Sequence, residues 1–183
     1  DVYDSTFNID CEKLEIAIQE TIKNGELKPK AIIPVDLFGV PARYRLIDSI
    51  AKKYNLKVIE DGAQSFGASI GEKKVGTFGD IAATSFYPAK PLGCYGDGGA
   101  MFTNDDNLAE QCKAIRIHGT RTDKYNSEVI GLNVRRDSMQ AAVLLEKLTI
   151  FDEELEMRNK VNDYYIKFLN NAQYIPNNYH SAH

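Results

Sequence analysis

Cysteine is scarce and badly placed for cross-linking. The three thiols, Cys11, Cys94 and Cys112, are odd in number and form no Cys-x-x-Cys pair, which argues against a disulfide framework and a structural zinc site. Histidine is as rare: His118 stands alone, and His180 and His183 sit in the tail, so no metal cluster is expected. No apolar run approaches the ~18 residues of a membrane span, and no signal-peptide pattern is recognisable. The net charge of −4 gives no general electrostatic reason to bind nucleic acid or an anionic membrane. Internal repeats and low-complexity linkers are missing too. These absences leave a protein expected in a reducing cytoplasm, with no nucleic-acid or membrane partner. The 183 residues are 43% hydrophobic and 26% charged, enough for one sizeable domain with a real core.

Strand and helix patterns alternate along the chain. Asp10 is placed to cap a helix from about Cys11 to Lys23, with Leu14, Ile16, Ala17 and Ile18 as its apolar side and Asn24-Gly25 as its stop. Ala31 to Leu37 reads as a buried strand, with Pro34 marking its end or an edge position. Pro41 to Tyr54 carries a helical pattern. Val58 to Asp61 and Ile81 to Phe86 are strands, and Gly98 to Thr103 is a third that closes a hairpin-like return. Asp105 to Ile117 is a further helix. From Asp137 to about Asn170 the pattern is helical, with the apolar stripe Met139, Ala142, Leu145, Leu148, Ile150, Phe151 and Leu155. This alternation predicts a mostly parallel sheet between helical layers, in which ligands bind at the carboxyl ends of strands.

One segment stands out chemically. In Ser85-Phe86-Tyr87-Pro88-Ala89-Lys90-Pro91-Leu92-Gly93, Pro88 and Pro91 fix their own φ and restrict Tyr87 and Lys90. Lys90 therefore belongs to a stiffened turn, and the glycines from Gly93 to Gly99 permit close backbone approach. Upstream, the apolar run Val58-Ile59 ends in Glu60-Asp61. An acid at a strand end and a braced lysine 29 residues later fit a pyridoxal phosphate (PLP) site: the lysine forms a Schiff base with the cofactor, and the carboxylate pairs with its pyridine nitrogen. Each residue also has a plainer reading. Asp61 can cap a turn, Lys90 can be a surface lysine, and Ser85 can satisfy backbone groups instead of binding phosphate. Glu60 alternates with Asp61 and is expected to point the other way. Cys94 reads as a packing residue, and Gly79-Asp80 as a turn into a strand. His118 reads as a helix-end cap. Of Arg135 and Arg136, one is free to bind a carboxylate or phosphate with its planar fork.

The motifs Glu60-Asp61-Gly62-Ala63-Gln64, Phe86-Tyr87-Pro88-Ala89-Lys90-Pro91-Leu92-Gly93, Gly96-Asp97-Gly98-Gly99-Ala100, His118-Gly119, Gly131-Leu132-Asn133-Val134-Arg135 and Gln140-Ala141-Ala142 resemble the DegT/StrS sugar-nucleotide aminotransferases, over nearly the whole chain. The resemblance implies a PLP fold type I, aspartate-aminotransferase-like large domain: a three-layer α/β/α fold with a mostly parallel sheet. It implies that Lys90 holds pyridoxal 5'-phosphate and moves the proton, Asp61 pairs with the pyridine nitrogen, Gln64 lies at the ring hydroxyl and Ser85 binds the phosphate. It also implies a homodimer with shared sites, in which Asn133 reaches the neighbouring subunit's phosphate and Arg135 lies near the sugar nucleotide.

Lys90 speaks against the dehydratase branch of that family, whose members carry histidine there. The form of the Pro88-to-Gly99 segment is similar to enzymes that aminate C3 of UDP-2-acetamido-2-deoxy-3-oxo-glucuronate with glutamate as donor. Family members are longer. Residues 1–183 are expected to be the core of the large domain, with an N-terminal segment and a C-terminal small domain outside them. Two alternatives stay open at this point: another PLP enzyme of the same fold, and an inactive fragment that only binds or dimerises.

Overall fold

The computed structural model describes residues 1–120, 126–134 and 137–169. Asp10 opens the first helix, α1 (Cys11–Asn24), by accepting the N–H groups of Glu12 and Lys13 at 2.9 and 3.1 Å. Gly25 closes it at a left-handed φ of 74°, as the Asn24-Gly25 pair predicts. Asp105 and Asp137 start α3 (Asp106–Arg116) and α4 (Ser138–Leu148) in the same way. The remaining helices are α2 (Tyr44–Tyr54) and α5 (Phe151–Phe168).

Four strands form the main sheet, in the order β1 (Ala31–Ile32), β2 (Lys57–Asp61), β5 (Ile81–Ser85) and β6 (Gly99–Phe102). The first three run parallel, and β6 returns antiparallel to β5 with Ala83 opposite Met101. A small hairpin of β3 (Ser69–Ile70) and β4 (Lys73–Lys74) lies between β2 and β5 in the chain. The fold is α/β with a mostly parallel sheet, as expected. Ile18, Ile32, Ile47, Ile50 and Val58 share one core, where α1 and α2 cover the sheet.

The period-two geometry of strands gives the sheet two different faces. Val58, Glu60, Ala82 and Thr84 are buried on the α2 side. Ile59, Asp61, Ile81, Ala83 and Ser85 point the other way, continued by Met101, which is 53% exposed, and by Ile33 on the β1 side, which is 59% exposed.

Four expectations need correction. The first strand is only Ala31–Ile32, because Pro34 has no N–H to continue the ladder. The chain still runs beside β2: the Pro34 carbonyl accepts the Asp61 N–H at 2.9 Å, and Val35 bridges Asp61. The single helix expected from Asp137 breaks at Thr149-Ile150 into α4 and α5. There the Thr149 hydroxyl donates to the Glu146 carbonyl at 2.6 Å, and two β-branched residues in succession propagate a helix poorly. The break turns Phe151 into a second core with Phe86, Leu92, Cys94 and Leu144. The stripe therefore divides: Phe151 is buried and Leu155 packs against that core, whereas Met139 and Leu145 are 72% and 67% exposed. Likewise Ile16 of α1 is exposed, while Cys11 and Ile18 are buried. Asn170 lies outside the described residues.

Candidate active site

Asp61 and Ser85 end adjacent parallel strands and face the same side of the sheet. Asp61 pairs with Ala83, two residues before Ser85. The chain then leaves both strands at this edge. The Gly62 N–H donates to the Ala83 carbonyl at 2.9 Å, and Asp61 Oδ1 accepts the Ala63 N–H at 3.1 Å. Asp61 is half-buried, so its carboxylate combines a fixed position with access. Ser85 Oγ accepts the Tyr87 N–H at 3.2 Å, leaving its proton available to an acceptor.

Lys90 lies on a closed turn five residues beyond Ser85. Its N–H donates to the Tyr87 carbonyl at 2.9 Å. Gly93 seals the turn: a Cβ there would stand 2.5 Å from the Pro88 oxygen and 2.9 Å from the Tyr87 oxygen, so no side chain fits. The fully buried Cys94 donates its N–H to the Phe86 carbonyl at 2.8 Å, which makes it the packing residue expected.

Helices α4 and α5 brace this loop from outside, a role that sequence reading missed. Lys147 Nζ donates to the Gly93 carbonyl at 2.6 Å, Gln140 Oε1 accepts the Tyr95 N–H at 2.7 Å, and Arg158 reaches the Pro91 carbonyl at 3.4 Å. Gln140 and Lys147 are two helical turns apart and so share a face of α4. That spacing is the signal in the sequence.

Gln64 follows Asp61 in the turn after β2. Its Oε1 accepts the N–H of Phe38 at 2.9 Å. Phe38 holds a left-handed φ of 57°, uncommon for a bulky residue. Glu60 is fully buried on the α2 side and accepts the N–H groups of Gly76 and Phe78 at 2.5 and 2.9 Å. It points away from Asp61, as strand alternation requires.

Asp36 was not singled out from the sequence. It is fully buried, and its carboxylate accepts from the Ala42 N–H at 2.8 Å, the Tyr44 hydroxyl at 2.8 Å and the Ser65 hydroxyl at 2.9 Å. Burial pushes its pKa up to about 6, against the pull of those three donors, and Glu60 adds to the rise. Its sequence signal parallels that of Asp61: an acid ending an apolar run, here Ile32 to Val35.

Asn133 stands elsewhere on the chain. It is exposed, and its backbone bridges Ile117 at the end of α3, not the strand-end group. His118 has a left-handed φ of 55° and donates its N–H to Leu132 at 2.9 Å, which puts it at the helix end as expected. Arg135 and Arg136 lie outside the described residues. The structure thus brings Asp61, Gln64, Ser85 and the Lys90 turn to one edge of the sheet and sets Asn133 on a separate surface segment.

Comparison with known proteins finds one family along the whole chain. The model of the DegT/DnrJ/EryC1/StrS aminotransferase family matches residues 1–183. A UDP-2-acetamido-2-deoxy-3-oxo-D-glucuronate aminotransferase from Pseudomonas aeruginosa is 49% identical over 161 residues, covering 88% of this chain and 43% of that protein. A crystal structure of a DegT DnrJ EryC1 StrS aminotransferase from Brucella abortus superposes with a TM-score of 0.94 at 49% identity, covering 100% of this chain and 50% of that one. The NtdA structure from Bacillus subtilis, with bound cofactor PMP, superposes with a TM-score of 0.77 at 34% identity, over 91% of this chain and 36% of that one. The chain spans about half the length, or less, of these relatives.

Proposed function

The chain belongs to the DegT/DnrJ/EryC1/StrS aminotransferase family, and on that premise we propose that it is the PLP-binding core of an enzyme that transfers an amino group to a keto-sugar nucleotide. The amino donor is glutamate, and the acceptor is UDP-2-acetamido-2-deoxy-3-oxo-glucuronate, used for surface polysaccharide biosynthesis. The acceptor follows the Pseudomonas aeruginosa relative. Residues 1–183 belong to the large domain, and the enzyme works as a cytoplasmic homodimer with shared sites.

The observation that carries this reading is the common edge of Asp61, Gln64, Ser85 and the Lys90 turn. The donor set fits pyridoxal 5'-phosphate: an amine for its aldehyde, an accessible carboxylate for its ring nitrogen, an amide for its ring hydroxyl and a hydroxyl for its phosphate. When bound, the cofactor supplies an aldehyde that condenses with amines and a protonated ring that takes up the electron pair of a broken C–H bond. The chain's residues do the rest. The Asp61 carboxylate accepts the ring N–H and keeps that proton in place. The Lys90 amine, on a turn sealed by Gly93, would take the proton from the substrate carbon and hold it for return. Ser85 donates to a phosphate oxygen. Asn133 contacts the phosphate of the neighbouring subunit's site, and Arg135 lies at the sugar nucleotide.

Borohydride reduction of the full-length enzyme with PLP, followed by peptide mapping, tests the reading. The expected adduct is on Lys90, and an adduct on another lysine overturns it. A donor assay with glutamate and the keto sugar then separates amino transfer from other PLP chemistry.

A further inference from the structure

The turn that carries Asp61 and Gln64 is tied at three places to one short segment, residues 36–38. The Asp36 N–H donates to the Asp61 carbonyl at 3.0 Å. The Phe38 N–H donates to Gln64 Oε1 at 2.9 Å, and the Ser65 hydroxyl donates to Asp36 Oδ2 at 2.9 Å. That segment is itself anchored by side chains. Asp36 Oδ1 accepts from Ala42 and Tyr44, both at 2.8 Å, and the buried Asn8 accepts the Leu37 N–H at 3.0 Å and donates to the Val40 carbonyl at 2.8 Å. Phe38 is left in its left-handed conformation, a state that persists only where the surroundings over-determine it.

A fully buried carboxylate needs a reason, because burial disfavours its charge. Three donors converge on Asp36, and an ionised carboxylate accepts all three as charge-assisted bonds without placing a proton of its own among them. We propose that Asp36 is a positioning residue for the cofactor turn: its ionised carboxylate holds the Ser65 hydroxyl and, through it, the Asp61–Gln64 segment in the geometry that grips the cofactor. This inference rests on the function proposed above.

Among the described residues, the titratable groups facing Asp36 are the Tyr44 hydroxyl from α2 and the Glu60 carboxylate from β2. Burial first, and then the neighbouring Asp36 and Glu60 charges, hold the Tyr44 proton on far above its ordinary range, so Tyr44 stays a donor. The variable proton is on Asp36, whose pKa stands at about 6. Once Oδ2 is protonated it donates to the Ser65 hydroxyl, which turns to receive, so a weaker neutral hydrogen bond replaces the charge-assisted one. The grip on the turn should therefore loosen as pH falls through that value.

The test uses the full-length enzyme and measures PLP affinity by visible-absorbance titration between pH 5 and pH 8, beside the thermal midpoint. A hydrogen bond to a charged group is worth enough that Asp36→Asn and Ser65→Ala should each weaken PLP binding on the order of 10-fold at pH 8. Each should also flatten the acid limb of the wild-type affinity profile, and the double variant should be no worse than the worse single one. Binding within two-fold of wild type, with an unchanged acid limb, overturns the proposal even if the thermal midpoint falls. If Asp36→Asn does not fold, Ser65→Ala decides alone, since it leaves the carboxylate and its other two donors intact. A wild-type enzyme that binds PLP on Lys90 while Ser65→Ala binds it equally well defeats this inference and spares the functional reading. A wild-type enzyme that forms no Lys90 adduct defeats both.

Discussion

Glu60 and Asp61 are neighbours on β2 and face opposite sides of the sheet. Glu60 is sealed on the α2 side, where its two oxygens take the N–H groups of Gly76 and Phe78. Asp61 is half-buried on the other side, with Ser85 on the next strand. The same chemical group thus performs two tasks, separated by one step of the strand. Glu60 organises the return of the chain into β5, and Asp61 stays accessible on the opposite face, where the proposed function has it meet the cofactor.

Two substitutions should separate these tasks. Glu60→Gln keeps the size of the side chain but loses the charge that takes two backbone donors. It should destabilise the protein by about 2–3 kcal/mol, read as a lower thermal midpoint, with PLP still bound. Asp61→Asn should leave the midpoint near wild type and still bind PLP, while turnover falls by orders of magnitude because the ring nitrogen loses its carboxylate. Near-normal turnover in Asp61→Asn contradicts its assigned role.

The brace on the Lys90 loop predicts a local effect without loss of fold. Lys147 donates to the Gly93 carbonyl and lies over the Tyr95 ring at 4.9 Å. Lys147→Met keeps much of the stem and removes both interactions, at a cost of about 1–2 kcal/mol. Hydrogen exchange in the full-length protein should accelerate in residues 90–95 and stay unchanged in β2 and β5. Uniform acceleration would point to global destabilisation instead.

The pH dependence of stability follows from two carboxylates of opposite sign. Asp36 has its pKa raised to about 6 from an ordinary 3.8, so ionising it is harder in the folded protein than in the unfolded chain. Its contribution is fullest below pH 3.8 and is lost as pH rises through about 6, in total about 3 kcal/mol. Asp80 runs the other way. Burial pushes it up, but the Lys57 ammonium at 2.6 Å and the Val58 N–H at 2.8 Å outweigh that and hold it below its usual value. Its contribution is present above the unfolded value and is lost as pH falls through the folded one. Thermal midpoints of wild type and Asp36→Asn, compared between pH 4 and pH 7, should differ in slope, the wild type falling more steeply as pH rises. Parallel curves contradict the assignment. Cofactor grip should move in the opposite direction over the same range, because the ionised Asp36 that costs stability is the form that holds Ser65 by the stronger, charge-assisted bond.

The helix caps and strand ends were legible because each depends on residues close in sequence. Asp10, Asp105 and Asp137 each reach N–H groups two or three residues on, and Asp61 ends an apolar run. The Lys90 turn was legible because Pro88 and Pro91 act on their own neighbours. What escaped depends on distant partners. Asp36 is buried because donors arrive from Ala42, Tyr44 and Ser65, and nothing local announces Ser65. Lys147 binds a backbone carbonyl, which every residue possesses, so its spacing from Gln140 marks a shared helix face but not the loop that the face meets. The helix after Asp137 was overextended because its periodicity continues through Thr149-Ile150, while packing of Phe151 beside Phe66, with ring centroids 5.5 Å apart, decides where it turns.

Sharing of the site between subunits is the part of the proposal furthest from the strand-end group. Asn133 is exposed and paired with Ile117, a placement suited to reaching another subunit. Full-length Lys90→Ala and full-length Asn133→Ala, each nearly inactive alone, should regain part of their activity when mixed under subunit exchange. If sites are shared, a mixed dimer has one site carrying both defects and one carrying neither. If Asn133 acts within its own subunit, every site keeps one defect and mixing restores nothing. Loss of a hydrogen bond to a phosphate costs ~1.5–3 kcal/mol, so the Asn133→Ala defect should be measurable at limiting PLP. Native mass spectrometry confirms that exchange has occurred. Exchange without recovered activity argues for self-contained sites and removes Asn133 from the cofactor set.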